Sequence, residues 1–168
     1  MSDYHEHARL RSGDNVTYMK AYTYKIGAIC YALWGVIHIA FGGMFLYSLL
    51  SGGIPALLKL SEVTNSTISA QDYPGILNGL LMEHSWNLIW FGLFALIVGV
   101  AMNWKNSRAG YWMNLVVVGA AELGFIVTII VPGYFTSAIL GPILWILAVI
   151  FSTIGIRTMP HSETRTNA

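Results

Sequence analysis

The chain has 168 residues, of which 55% are hydrophobic and 10% charged, against roughly 25% charged in an ordinary soluble domain. That balance excludes a soluble enzyme, a disordered chain and a collagenous one. Nine Lys and Arg against eight Asp and Glu leave a formal charge of +1 with no long basic run, so nucleic acid is not an expected partner.

Residues 1–25 mix both charge signs around Gly13, Asp14 and Asn15 and read as a mobile cytoplasmic tail. His5 and His7 stand two apart there, a spacing that on a flexible tail reads as solvated rather than metal-binding. The stretch lacks the short apolar core and small-residue cleavage site of a signal peptide, so the first apolar run is expected to stay as an anchor.

A bilayer core about 30 Å thick needs roughly 20 apolar residues of helix to cross it, because every backbone amide must find its partner inside the segment. Four stretches meet that length: about 26–50, 77–102, 110–131 and 138–156. None carries the polar stripe that a soluble bundle would turn to water. Cys30, the single cysteine, lies in the first of them, which removes an intrachain disulfide, a CxxC redox pair and a cysteine zinc site.

The first loop, 51–76, is the longest. Ile54, Pro55, Ala56, Leu57, Leu58 and Leu60 are expected to form a short interfacial helix with Pro55 in its first turn. Asn65-Ser66-Thr67 and Asn15-Val16-Thr17 match glycosylation triplets, which are frequent by chance. Loops 103–109 and 132–137 are short, so each joins antiparallel neighbours. An all-α, four-transmembrane-helix, up-down bundle follows, with Gly35, Gly42, Gly43, Gly92, Gly99 and Gly119 allowing close helix approach.

Direction comes from the basic residues. Arg9, Arg11, Lys20, Lys25, Lys105, Arg108, Arg157 and Arg165 fall on one side of the four spans and Lys59 on the other. By the positive-inside rule both termini are cytoplasmic, leaving tails 1–25 and 157–168 around the 26–156 domain. Tyr22, Tyr24, Trp104, Tyr111 and Trp112 mark the inner boundary, and Tyr47, Tyr73, Tyr134 and Phe135 the outer one.

Ionisable side chains inside a span cost roughly 2.5 to 3.5 kcal/mol at the helix centre, so each needs a partner or a wet cavity. The spans hold four: His38, Glu83, His84 and Glu122. At about 1.5 Å of rise per residue, His38 and Glu122 both lie about 18 Å from the cytoplasmic side, close enough in depth to pair. Asn87 lies near 22 Å, and His84 and Glu83 at roughly 27 and 28 Å, giving a polar ladder from mid-membrane outward.

Helical spacing puts Tyr31, Trp34, Gly35, His38, Gly42 and Phe45 on one face. It does the same for Glu83, Asn87, Trp90 and Phe94, and for Tyr111, Leu115, Val118, Gly119, Glu122 and Ile126. An aromatic-walled pocket floored by a few polar groups is the composition of a small-molecule site. The candidate ligand-binding residues are therefore His38, Glu122, Asn87, Glu83, His84, Trp34 and Trp90. Each has a plainer reading: a register-fixing polar contact for His38 and Glu122, headgroup exposure for Glu83 and His84, a bond to a neighbouring helix for Asn87 and Asn114, and packing for the tryptophans.

A haem needs two axial ligands at one depth, and His38 and His84 differ by about 9 Å, so haem is not expected. A metal site from His38, His84 and Glu122 meets the same mismatch, and no H-E-x-x-H or G-x-S-x-G occurs. Burial disfavours charge on a carboxyl and an imidazole alike, so a His/Glu pair there can share a proton.

The leading expectation is a multi-pass membrane protein, in the plasma or inner membrane if bacterial, that binds a small apolar or amphipathic molecule between its helices. Two alternatives use the same pair: an intramembrane isomerase or oxidoreductase with Asn87 orienting the substrate, and a proton-coupled transporter. The expected partners are the lipid bilayer, the small ligand, and a second copy of the chain or a larger membrane complex.

Overall fold

The structure, a computed structural model, describes residues 3–60, 75–134 and 136–158. Among them every regular element is helical: α1 (Asp3–Leu60), α2 (Ile76–Ala101), α3 (Arg108–Phe125) and α4 (Leu140–Thr158). Short turns of tighter or wider helix, Asn103–Lys105, Ile126–Ile130 and Thr136–Ile139, lie between them. Four helical lengths, Tyr22–Leu60, Ile76–Lys105, Arg108–Ile130 and Leu140–Thr158, are long and apolar enough to cross a membrane. The Asn65 triplet, Tyr73, Phe135 and Arg165 lie outside the described residues.

Helix α1 begins at Asp3, so the stretch expected as a tail is continuous with the first span. No proline interrupts it before Pro55, and once a span is helical each added residue gains a hydrogen bond without a new nucleation cost. The break comes at Gly53, whose φ of 65° and ψ of −158° suit a residue without a Cβ. Beyond it residues 54–60 form a separate helical piece with Pro55 in its first turn, the arrangement expected from the sequence. Ile54 and Leu57 turn inward and join Leu49 in a buried apolar cluster flanked by Phe45, Leu77 and Leu81.

Helices α1 and α2 approach closely because glycine faces glycine. A Cβ on Gly35 would stand 2.5 Å from the Gly92 carbonyl oxygen, and one on Gly92 2.6 Å from that of Gly35. Neither position accepts a larger residue, and this contact fixes which face of α2 is inside: Ser85, Gly92, Ala95, Val98 and Gly99 are its buried residues. On its other side α1 packs on α4, where Gly27 lies against Ser152 and Gly155 against Tyr24. Helix α3 packs on α2 and α4.

The end carrying Lys25, Lys105, Arg108 and Arg157 is tied by polar contacts. Lys25 Nζ lies 5.1 Å and 5.4 Å from the ring centroids of Tyr22 and Trp104, within cation–π range. Asn106, in a left-handed conformation, donates through Nδ2 to the Gly155 carbonyl at 3.2 Å. Ser107 caps α3 by accepting from the Gly110 amide, so the third helix starts at Arg108, two residues before the expected boundary. At the far end α3 gives way to a π turn over Ile126–Ile130. Thr128 there donates to the Gly124 carbonyl at 2.8 Å, competing with the backbone ladder shortly before Pro132 removes a donor altogether.

Large apolar side chains cover the outside: Leu33, Val36, Ile97, Val116 and Val127 are each about half exposed or more. A continuous apolar exterior of this kind marks a surface made for a non-aqueous neighbour.

Candidate functional site

Within the bundle α1, α3 and α4 each present an inward column spaced at three or four residues. Along α1 it is Gly27, Tyr31, Trp34 and His38, along α3 Gly110, Asn114, Val118 and Glu122, and along α4 Gly141, Trp145, Ala148 and Ser152. The periodicity is that of one helical face. Contacts fix the levels: Ser152 meets Gly27, Asn103 meets Gly110, Trp145 meets Gly119, and Gly141 meets both Glu122 and His38.

The level farthest from the basic end holds the charged chemistry. Glu122 is 1% exposed, and its Oε1 accepts a hydrogen bond from the Trp34 indole Nε1–H. His38 Nε2 stands 3.6 Å from the same oxygen. Because Trp34 and His38 are one turn apart their rings stack, with centroids 3.6 Å apart and planes at 21°. The other ring nitrogen, His38 Nδ1, lies 2.8 Å from the Trp34 carbonyl oxygen. A carbonyl only accepts, so this bond places a proton on Nδ1 and leaves Nε2 as the nitrogen that gains or loses one.

Gly141 closes the site from α4, where a Cβ would lie 2.9 Å from Glu122 Oε1 and 3.3 Å from His38 Cε1. Glu122 Oε2 has no hydrogen-bond partner among the described residues. One proton shared between Glu122 and His38 keeps the pair neutral overall, whichever member carries it, and so limits the cost of burial.

The four remaining candidates lie elsewhere. Asn87 Nδ2 donates to Glu83 Oε1 at 2.6 Å, one turn apart on the outward face of α2. Glu83 and His84 are exposed. Trp90 is 54% exposed and lines an apolar groove of about 270 Å³ with Phe94, Ile97, Val98 and Met113. The ladder therefore does not assemble around His38 and Glu122. At 100° per residue the Glu83, Asn87, Trp90 and Phe94 stripe falls opposite Ser85, Gly92 and Gly99, and the glycine contact with α1 sends it outward.

Sequence reasoning left Ser152, Asn103 and Trp145 unassigned as inner residues. A signal was available in α4, where Gly141, Trp145, Ala148 and Ser152 recur at helical spacing with the small residues that close packing favours. Among the described residues no group of three His, Cys, Asp or Glu side chains is placed to hold a metal ion. Comparison with protein-family models, with curated proteins and with solved structures finds no match.

Proposed function

We propose an integral membrane protein of four up-down spans with both termini cytoplasmic, whose His38, Glu122 and Trp34 centre takes up and releases a proton while a small apolar or amphipathic molecule binds beside it. The lipid bilayer surrounds the apolar exterior, in the plasma or inner membrane if the source is bacterial. The basic end, with Lys25 over Tyr22 and Trp104, faces the cytoplasm. Association with a second copy or a larger membrane complex belongs to the same reading.

The observation that carries it is the incomplete pairing of Glu122. A carboxyl kept only to fix helix register gains most when both oxygens are satisfied, because an unpaired buried acceptor costs about 1–3 kcal/mol. Here Oε1 is held by Trp34 and approached by His38, while Oε2 has no partner among the described residues. A proton or the polar head of a ligand supplies what Oε2 lacks.

An intramembrane enzyme would use the same acid–base couple, but Asn87, the residue expected to orient its substrate, is bonded to Glu83 on the outward face of α2. The proton-linked binding reading needs only the three residues that do meet.

The test is extraction of the detergent-purified protein and of Glu122→Gln, with small molecules identified by mass spectrometry. A molecule retained by the parent chain and lost from the variant is expected. The same extract from both contradicts ligand binding at this centre.

A further inference from the structure

Nine buried side-chain polar atoms have no hydrogen-bond partner among the described residues, and eight of them lie between Glu122 and the basic end. They are Glu122 Oε2, Trp145 Nε1, Tyr31 Oη, both amide atoms of Asn114, both of Asn103, and Ser152 Oγ. Tyr31 and Asn114 are fully buried, and Asn103 and Ser152 each 4% exposed. The ninth, Asn78 Oδ1, sits near the start of α2. Scattered unpaired atoms would be unremarkable, whereas a concentration in one half of one interior calls for a shared partner.

The spacing says what that partner is. Ser152 and Asn103 sit at the level of Gly27 and Gly110, four residues before Tyr31 and Asn114. One helical turn is about 5.4 Å, the span of two hydrogen bonds of about 2.8 Å meeting at one water. Asn114 and Glu122 are a further eight residues apart, a distance of about 12 Å with the Trp145 indole N–H between them. At the basic end a cavity of about 10 Å³ is lined by Tyr24, Asn103, Asn106, Tyr111 and Ser152, room for about one water molecule.

On the other side of the pair the contacts are backbone and apolar, and 18% of the His38 side chain stays exposed. Gly141 lies directly on the His38 and Glu122 pair, and the Gly42 to Ser85 backbone contact seals α1 on α2. Beyond them the cluster of Leu49, Ile54 and Leu57 fills the end of the bundle with apolar side chains.

We propose that a file of water runs through the bundle from the Asn103 and Ser152 mouth to Glu122, so that the buried carboxyl exchanges its proton with the cytoplasmic side alone. Tyr31 and Ser152 hydroxyls both donate and accept, as do the two asparagine amides, so these levels can pass a hydrogen-bond chain onward, while the Trp145 indole only donates and leaves the relay there to the water itself. The titratable groups facing this path are His38, Tyr31, Cys30 and Tyr24 from α1 and Tyr111 from α3, with His84 of α2 within electrostatic reach of His38. Helix α4 contributes Gly141, Trp145 and Ser152, and the buried face of α2 holds no ionisable side chain. The path rests on the membrane setting and orientation given above, and stands or falls separately from ligand binding.

The test replaces Cys30 with Ser and introduces one thiol at a time, Ser152→Cys, Asn114→Cys or Val116→Cys, in sealed vesicles of known orientation. Silver ion is the probe, since it travels in water and captures thiols, and the remaining free thiol is counted after denaturation. Val116 is on α3 close to Asn114 in depth but 61% exposed on the apolar exterior, so it reports lipid. Silver added on the basic side should block Ser152→Cys and Asn114→Cys at least an order of magnitude faster than Val116→Cys, and silver on the other side should not. Val118→Cys, one turn nearer Glu122 and a close match in volume, gives the same reading if Asn114→Cys does not assemble. Inner thiols no faster than Val116→Cys, or faster from the far side, overturn the path. A fast Val116→Cys from both sides overturns the lipid setting beneath it.

Discussion

The two halves of the bundle interior differ in the polar groups they leave unpaired. Beyond Glu122, α1 meets α2 through Gly42 and Ser85, Ser85 returns its hydroxyl to the Leu81 carbonyl at 2.7 Å, and apolar side chains fill what remains. Toward the basic end the same interior holds Asn103, Asn114, Tyr31 and Ser152, each with a polar atom unpaired among the described residues. Both halves use glycine to bring helices together, Gly42 on Ser85 beyond Glu122 and Gly27 on Ser152 toward the basic end. The half toward the basic end adds buried polar groups of a kind that ordered water satisfies. Glu122, with one oxygen bound and one unpaired, stands at the border between them.

The largest effect is expected from breaking the glycine contact of α1 with α2, at the level where the two halves meet. Gly35→Leu drives a side chain into the Gly92 carbonyl, for which overpacking figures of about 1–3 kcal/mol are a lower guide because the obstacle is backbone. Loss of the monodisperse peak in size-exclusion chromatography in detergent is the expected result.

Trp34→Phe comes next. It keeps an aromatic ring beside His38 but removes the donor to Glu122 Oε1, leaving a buried acceptor unpaired at a cost of about 1–3 kcal/mol. Thermal unfolding in detergent should show a lower midpoint. An unchanged midpoint would mean that the indole contact contributes nothing.

Glu122→Gln sharpens the comparison more than it breaks it. The amide oxygen still accepts from Trp34, so stability should fall by about 1 kcal/mol, the worth of a typical hydrogen-bond difference. Proton uptake, measured by a pH-indicator dye in weakly buffered nanodiscs, should fall by one proton per chain. The smallest effect belongs to Glu83→Gln on the exposed face of α2, which should change stability by less than about 0.5 kcal/mol. The contrast between two glutamates in one membrane domain separates burial from mere presence of a carboxyl.

Part of this was legible before any coordinates. Equal distance from the ends of their spans put His38 and Glu122 at one depth, and the structure sets them 3.6 Å apart. Pro55 announced a short helix after the first span, while the break before it, at Gly53, came only with the structure. What the sequence concealed was the rotation of α2: large polar and aromatic residues form its conspicuous stripe, yet the small ones decide which face goes inward, since only they admit a neighbouring backbone. The polar interior was hidden for a related reason. Asn103 comes from the turn after α2 and Trp145 and Ser152 from α4, and only the docking of α4 against Gly27 and Gly119 brings them into one interior.

The central claim is that Glu122 is a proton-exchanging carboxyl inside lipid, and pH-difference infrared spectroscopy of the protein in nanodiscs tests it most directly. The expected result is a protonated-carboxyl C=O component that comes and goes with pH in the parent chain and in Glu83→Gln and is missing from Glu122→Gln, where the other seven Asp and Glu side chains still contribute. A Glu122→Gln spectrum that keeps every component of the parent's, or a Glu83→Gln spectrum that lacks this one, would contradict it.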